Sequence, residues 1–370
     1  MSTLTNFAAL SNEQILIRSM RLWKEARRKS FVAQFEGTTS DAMIQRITEL
    51  KESEKGARAL ITLVHDLEGD GTAGDRFLEG NEEAMISSEQ EIQVDMLRHA
   101  VRHKGRMADQ KSIINFRNEA QNKLSYWLAR RWDQMAFLHM SGVSYAYHTN
   151  GAPRVSSQLA LLEFADDASK NLTSGRHYRW DATDGLEPAS TGDIDAADTP
   201  SYDMLIEMQT AAQNAEIRPI RTVDGVSHYN VFMTPSGIKA LKKDQAFREA
   251  YQNALPRSKE NPLFKGTNVI WLDGLAIFPF LDVYNTTGAA SGSKWGAGGA
   301  IDGQRVLLCG AQALAKADIG RPRWVEKEFD FDNQPAISAG KISGYLRPQF
   351  KGVDTGEIED FGQIAVDTAI

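Results

Sequence analysis

The sequence predicts a mixed fold, an α+β or α/β layer beside one long helix, and three observations carry that prediction. From residue 201 the apolar pattern alternates between helical and strand periods: a helix over 201–215, a strand at "YNVFMTP", a helix from about Pro235 to Ala254, and a strand at "NVIWLDGLAIFPF". Residues 108–142, "ADQKSIINFRNEAQNKLSYWLARRWDQMAFLHMSG", repeat apolar side chains at helical spacing for roughly thirty residues, a length of ~45 Å. Two β-rich runs, "ARALITLVHDLEG" and "EIQVDM", flank a polar, glycine-containing stretch far longer than a hairpin turn needs.

The elements follow in order. Residues 11–34 read as a helix with Ser11 and Gln14 as a capping box and Leu16, Met20 and Trp23 at helical spacing. Its other face carries Arg21, Lys24, Arg27, Arg28 and Lys29, which fits either a solvated face or an arm that docks on acidic neighbours or lies near DNA. In the β-rich pair, Ile92, Val94 and Met96 alternate with polar residues. A strand of about 11 residues would reach ~36 Å, so the hairpin projects beyond a compact body. The long helix is marked by Ile113, Phe116, Ala120, Leu124, Trp127 or Leu128, Arg131, Met135 and Leu138, with Gly142 as its stop. Residues 170–200 are polar, turn-rich and without period, hence a surface excursion. After the alternating region come a glycine- and serine-rich loop, the apolar run "RVLLCGAQALAKADI", and two strands meeting at a turn in "RPRWVEKEFDFDNQPAISAGKISGYLRPQF".

Composition narrows the function. With 370 residues, 42% hydrophobic and 25% charged, the chain is ordinary globular protein. It contains no uncharged apolar run long enough for a membrane span, and its start lacks the basic and apolar regions of a secretory signal. The single cysteine, Cys309, sits among apolar neighbours and reads as a buried small hydrophobe. A net charge of −7 argues against a dedicated nucleic-acid binder, though not against a wall around nucleic acid that touches its contents weakly.

Motifs that suggest chemistry fail on inspection. Gly69, Gly71 and Gly74 spell G-x-G-x-x-G, but Asp66, Glu68, Asp70 and Asp75 would repel a phosphate, and no amphipathic helix follows. Asp66, Glu68 and Asp70 fall on the first, third and fifth positions of a calcium loop, and are the weak metal candidates. The twelfth position, which needs a bidentate Glu, is Phe77. His99 and His103 share a face in a helix or a strand, but Arg98, Arg102, Lys104 and Arg106 around them would repel a cation; a basic strip answering an acidic partner is the better reading. "ISAGKISG" departs from a phosphate loop at Pro335 and Ile342. No catalytic constellation assembles and no cofactor is implied.

The order of parts resembles the major capsid proteins of tailed double-stranded DNA phages, a podovirus-type capsid family with the Johnson fold. The segments that carry the resemblance are "RLWKEARRKSF" (21–31), "GDRFLEGNEEAM" (74–85), "VDMLRHAVRHKGRM" (94–107), "VLLCGAQAL" (306–314) and "GRPRWVEKEFDFDNQPAISAGKISGYLRP" (320–348). Residues 143–200 match nothing in that family and read as a surface insertion.

The resemblance implies an α+β fold divided into an N-terminal arm (1–55), an extended two-stranded loop (56–107), a peripheral domain with the spine helix (108–200), an axial domain (201–320), and a return to the peripheral domain with a tail (321–370). It implies assembly into pentamers and hexamers of an icosahedral shell around viral DNA, in the virion and, while assembling, in the host cytoplasm. Partners would be copies of itself, portal and scaffolding proteins and a decoration protein, with weak contact to DNA and no membrane. Asp75, Glu79, Glu82 and Glu83 at the loop tip, and Arg98, Arg102, Lys104 and Arg106, are the candidate contacts between subunits. Arg21, Trp23, Lys24, Arg27 and Arg28 are those of the N-terminal arm. An encapsulin-like compartment, or a soluble enzyme holding calcium or a nucleotide at residues 66–83, are the alternatives.

Overall fold

The computed structural model describes residues 12–47, 58–64, 70–74, 76–80, 82–85, 87–110, 115–221, 227–254, 269–351 and 356–370. Ser11, Ile113, Asp66, Glu68 and Asp75, each singled out above, lie outside them.

Helix α1 (Asn12–Lys29) leads into β1 (Glu36–Gly37) and β2 (Ile44–Ile47). Next come β3 (Arg58–Val64), β4 (Ser87–Gln93) and β5 (Asp95–Arg102), then the short α2 (Arg106–Gln110) and the 25-residue α3 (Phe116–Met140). One-turn α4 (Ala165–Ala168), β6 (His177–Asp181), β7 (Gly185–Pro188) and α5 (Tyr202–Asn214) follow. The chain continues through β8 (Ile220–Arg221), β9 (Ser227–Met233), α6 (Pro235–Lys243), α7 (Gln245–Ala254), β10 (Ile270–Leu272) and β11 (Leu275–Pro279). It closes with β12 (Gly303–Cys309), β13 (Leu314–Phe329), β14 (Gln334–Leu346), β15 (Gln349–Lys351), β16 (Ile358–Asp360) and β17 (Gln363–Ala369).

These strands make two principal sheets. One runs β1-β2-β13-β14-β5; its centre is the long antiparallel β13–β14 hairpin, registered from Ala315↔Leu346 to Phe329↔Gln334. The other runs β10-β11-β9-β12-β17-β6-β7, with β8 paired to β9. It mixes parallel pairs (β11 with β9, β17 with β6) and antiparallel ones, so the layer is α+β and not a doubly wound parallel sheet. Met204, Met208, Val231, Ile277, Val306 and Ile364 build the core against its helices. A second core joins α1, α3 and the long hairpin through Leu22, Ala26, Leu128, Trp132, Trp324 and Ile337.

Helix α3 begins at Phe116, capped by the Asn115 side chain accepting from Asn118 N at 3.2 Å, not at residue 108. The predicted stripe holds at Ala120, Leu124, Leu128, Met135 and Leu138, but from Trp132 to Met140 every residue is buried, which places this end of the spine inside the protein. Gly142 stops it as expected: at φ +65° it lets its own N–H reach His139 O (3.2 Å) and Val143 N reach Leu138 O (3.0 Å), a Schellman closure.

Several expectations are corrected. Helix α1 buries Ser19, Leu22 and Ala26, while Leu16 is half exposed, because the partner surface is offset from the Leu16/Met20/Trp23 row. The strand expected across 268–280 is a hairpin, since Asp273 (φ +47°) and Gly274 (φ +75°) make a two-residue turn. The helix from Pro235 to Ala254 breaks at Asp244, whose extended backbone starts α7 afresh. The excursion at 170–200 supplies β6 and β7; "HYRWD" carries no strand period because its polar side chains pair within the sheet, as His177 does with Asp367 at 2.8 Å. Among the described residues strand β3 spans seven residues, a ladder of ~23 Å; residues 65–69 of the expected run lie outside them. The large sheet takes β6 and β7 from before residue 201 and β17 from beyond 320.

Lys341 of "ISAGKISG" is buried, paired with Asp318 at 2.5 Å and donating to Ile319 O at 3.0 Å. Three further buried pairs, Lys316–Glu36, Arg347–Asp360 and Arg305–Asp367, link strands or their ends; a buried pair is strongly destabilising to break but adds little net stability over an apolar replacement. Cys309 is fully buried 4.0 Å from the Met140 sulfur, and burial raises its thiol pKa, as a small hydrophobe's would be.

Candidate functional site

The arm, the strip at its base and the N-terminal helix are the surfaces that the sequence singles out. Strands β3 and β4 pair from Arg58↔Gln93 to Val64↔Ser87, leaving residues 65–86 as the tip. The described tip residues form no helix or strand. Gly71, Gly74 and Gly80 have positive φ, and a Cβ at any of them would meet nothing within 4 Å, so it is the backbone conformation and not close packing that calls for glycine here. Asp70, Glu79, Glu82 and Glu83 are exposed; Glu82 accepts from Gly80 N at 2.7 Å. The sequence reading stressed these acids and missed what stands among them: Phe77 (85% exposed), Leu78 (61%) and Met85 (75%). Three large apolar side chains thus stand exposed among the acids of the described tip.

At the base, Val94 alone separates β4 from β5, the edge strand of the long-hairpin sheet. Strand alternation sends His99 and His103 to one face, where His99 stacks on Trp127 (4.8 Å) and His103 meets Phe116 edge-on (4.9 Å); the imidazoles pack on α3. Arg98, Arg102, Lys104 and Arg106 are exposed. They do not act as one strip. Arg102 donates to Gln334 Oε1 and lies 4.6 Å over the Phe329 ring, and the backbone N of Arg106 donates to Asn333 Oδ1 at 3.1 Å, so this end is tied to the turn of the long hairpin. Glu328 sits nearby with its pKa raised by its hydrogen bond to Asp332.

Arg98 instead lines a cleft of about 660 Å³ between β5 and residues 148–162, together with Arg131, His148 and Arg154. Arg154 Nε donates to Tyr147 O at 2.9 Å and its NH2 to Gln134 Oε1 at 3.3 Å; Arg131 NH1 donates to the same Gln134 oxygen at 2.8 Å. Two guanidiniums thus share one neutral acceptor. Burial and then the Arg131 charge push Arg154 down to about 10, and burial followed by Arg154 lowers His148. Asp95 of the cleft accepts from Met96 N and Glu163 N; Asp282, outside the lining, accepts from Gln134 Nε2 and Thr149 Oγ1, and its charge offsets part of the lowering of Arg131 and Arg154. Sequence periodicity placed Arg131 in the apolar stripe of the spine, and residues 143–200 offered no pattern at all. A charged residue on an otherwise apolar helical row was the one signal of the cleft.

The N-terminal helix splits its basic run. Arg21, Lys24 and Arg28 are exposed, whereas Trp23 is half-buried beneath Arg27, whose guanidinium lies 5.2 Å from the ring. Arg27 reaches Glu36 at 3.5 Å and Lys29 donates to Ser125 Oγ of α3 at 2.8 Å. Asp133 of α3 then accepts from Ser30 Oγ (2.6 Å), Val32 N (3.0 Å) and Phe31 N (3.1 Å). Part of the arm therefore docks on its own spine, while Arg21, Lys24 and Arg28 face outward.

Comparison with known proteins bears on these surfaces. Residues 6–370 match the family model described as phage capsid protein. The chain is 50% identical over 365 residues to the major capsid protein of Pseudomonas phage KPP25, covering 98% of this chain and 96% of that one. Among solved structures it is similar to the capsid of Ralstonia phage GP4 (TM-score 0.76, 23% identity, 99% of this chain and 95% of that one). It is also similar to the capsid asymmetric unit of cyanophage Pam1 (TM-score 0.69, 19% identity, 100% and 96%). Both are phage capsid folds.

Proposed function

The chain belongs to the phage capsid protein family, a structural shell protein, and we propose that it closes as pentamers and hexamers into an icosahedral shell around packaged double-stranded DNA. The observation that carries this reading is the match over the whole length to a major capsid protein, with the arm, spine helix and large sheet all inside it. Head-to-tail contacts that close by rotation generate such rings, and many modest interfaces make a durable wall. The exposed apolar and acidic arm tip is one half of such a contact; basic groups of a neighbouring copy are the other. The spine helix with the long hairpin serves as the peripheral part, and the large sheet with α5–α7 as the axial part.

Function is assembly, not turnover. A net charge of −7 suits an inner wall that holds DNA loosely, since each phosphate contact adds affinity and salt dependence. Portal and scaffolding proteins, and a decoration protein, complete the particle, which forms in the host cytoplasm. Electron microscopy and sedimentation of the purified chain, with and without its scaffold, test this: closed shells or rings of five and six support it, and a chain that stays monomeric with scaffold present overturns it.

A further inference from the structure

Helix α1 concentrates positive charge, six cations against two carboxylates in 18 residues, within a chain of net charge −7. Where it turns toward β1, a pocket of about 490 Å³ is lined by Trp23, Lys24, Arg27, Arg28, Ser30 and Gln34, with Ala33 at its wall. No carboxylate is among the lining residues. The acids of the surrounding elements have partners of their own. Glu36 pairs with Arg27 at 3.5 Å and with Lys316, Asp133 accepts from Ser30, and Glu25 accepts from Gln121 Nε2 at 3.2 Å and lies 3.9 Å from Lys29. Lys24 and Arg28 remain, exposed and, among the described residues, in no ion pair.

One neutral donor is stranded beside them. The Trp23 indole N–H is buried without an acceptor, a state that costs free energy and calls for a partner. The pocket thus offers ammonium, guanidinium, indole and amide donors and no acid, which is the donor set of an oxyanion seat. An acidic peptide would also draw on apolar lining, and here that is Ala33 and the half-buried Trp23 alone. We propose that this pocket seats a backbone phosphate of the packaged duplex, with Lys24 and Arg28 as counter-charges and Trp23 Nε1 as the neutral donor. A small shift of the long cationic side chains admits the phosphate oxygen to the indole. The proposal rests on the shell reading above and adds to it the residues through which a subunit meets DNA. Phosphate contacts carry no sequence information, so the seat takes any sequence. Two contacts hold a duplex weakly, and repetition of the seat around the wall is what makes the hold continuous.

Anisotropy of a short labelled duplex, titrated with the unassembled full chain at several salt concentrations, tests this. Affinity should fall with salt at a log–log slope of about −2, from two contacts at ~0.9 each. Lys24→Ala with Arg28→Ala, both at exposed positions, should remove most of that slope. Trp23→Phe should keep the slope and weaken binding roughly tenfold, the scale of a hydrogen bond to a charged group. Lys239→Ala with Lys243→Ala, exposed lysines of α6, should change neither. Equal losses in the two double variants would mean diffuse attraction and overturn the seat, as would an ineffective Trp23→Phe or no binding at low salt. Displacement of the duplex by oligoglutamate at equal charge would overturn the assignment to phosphate. A chain that binds duplex as expected but never forms shells would keep the seat and overturn the reading beneath it.

Discussion

Ser30 Oγ donates to Asp133 Oδ1 at 2.6 Å, so the residue that follows α1 is held to α3 across 103 positions of sequence. The same carboxylate takes Phe31 N and Val32 N, which makes it the turning point where the arm leaves the helix and enters β1.

Asp133→Ala should therefore destabilise the chain by about 2–4 kcal/mol, because it strands two backbone donors as well as the hydroxyl. Ser30→Ala, which removes one donor and leaves the other two bonds, should cost about 1 kcal/mol. Urea unfolding of both variants measures the difference; equal effects would mean that the backbone bonds contribute nothing.

His139 is fully buried, its Nδ1 3.0 Å from Tyr145 OH, and burial, then the Arg347 and Lys170 charges, hold its pKa well below the ordinary 6.5. The folded state binds this proton less readily than the unfolded one. Its contribution to stability is present above pH 6.5 and is lost as pH falls toward the folded pKa, by up to about 1.4 kcal/mol per pH unit. Stability curves between pH 7 and 5 should lose that slope in His139→Gln.

Gly142 is closed to side chains twice over. Its φ is +65°, and a Cβ there would stand 2.9 Å from Lys170 O and 3.2 Å from an Arg347 nitrogen. Gly142→Ala should cost about 2 kcal/mol or more, from the left-handed backbone and the displaced contact together. Thermal melting of the unassembled chain reads it directly.

Cys309 should react with thiol reagents only as the chain unfolds, since it is buried in β12 and its thiol pKa is raised by that burial. One thiol per chain should be labelled at the rate of global opening. Rapid labelling of native protein would show that the centre of the large sheet opens locally.

Much of this was legible from residue patterns, for reasons that vary by element. The spine announced itself because Ala120, Leu124 and Leu128 repeat at 3.6 residues, and Gly142 marked its end by the one conformation glycine favours. The hairpin arm was legible from β-branched runs around a long polar gap, and its described ladder pairs Arg58–Val64 with Ser87–Gln93. Strands β6 and β7 were illegible because their polar side chains are satisfied by partners that only the sheet brings together, as Arg179 is by Glu187 on the next strand and His177 by Asp367, 190 positions away. The cleft was hidden for the same reason: Arg98, Arg131 and Arg154 come from a strand, a helix and a loop with no shared period, and only tertiary structure brings them together.

Strand β17 lies between β12 and β6, inside the large sheet and not at its rim. The middle of that sheet is thus filled by residues 363–369. Removing that strand would leave β12 with an unpaired flank and β6 without its parallel partner. One strand thereby acts as the seam between two parts of the sheet, and its loss opens two edges at once.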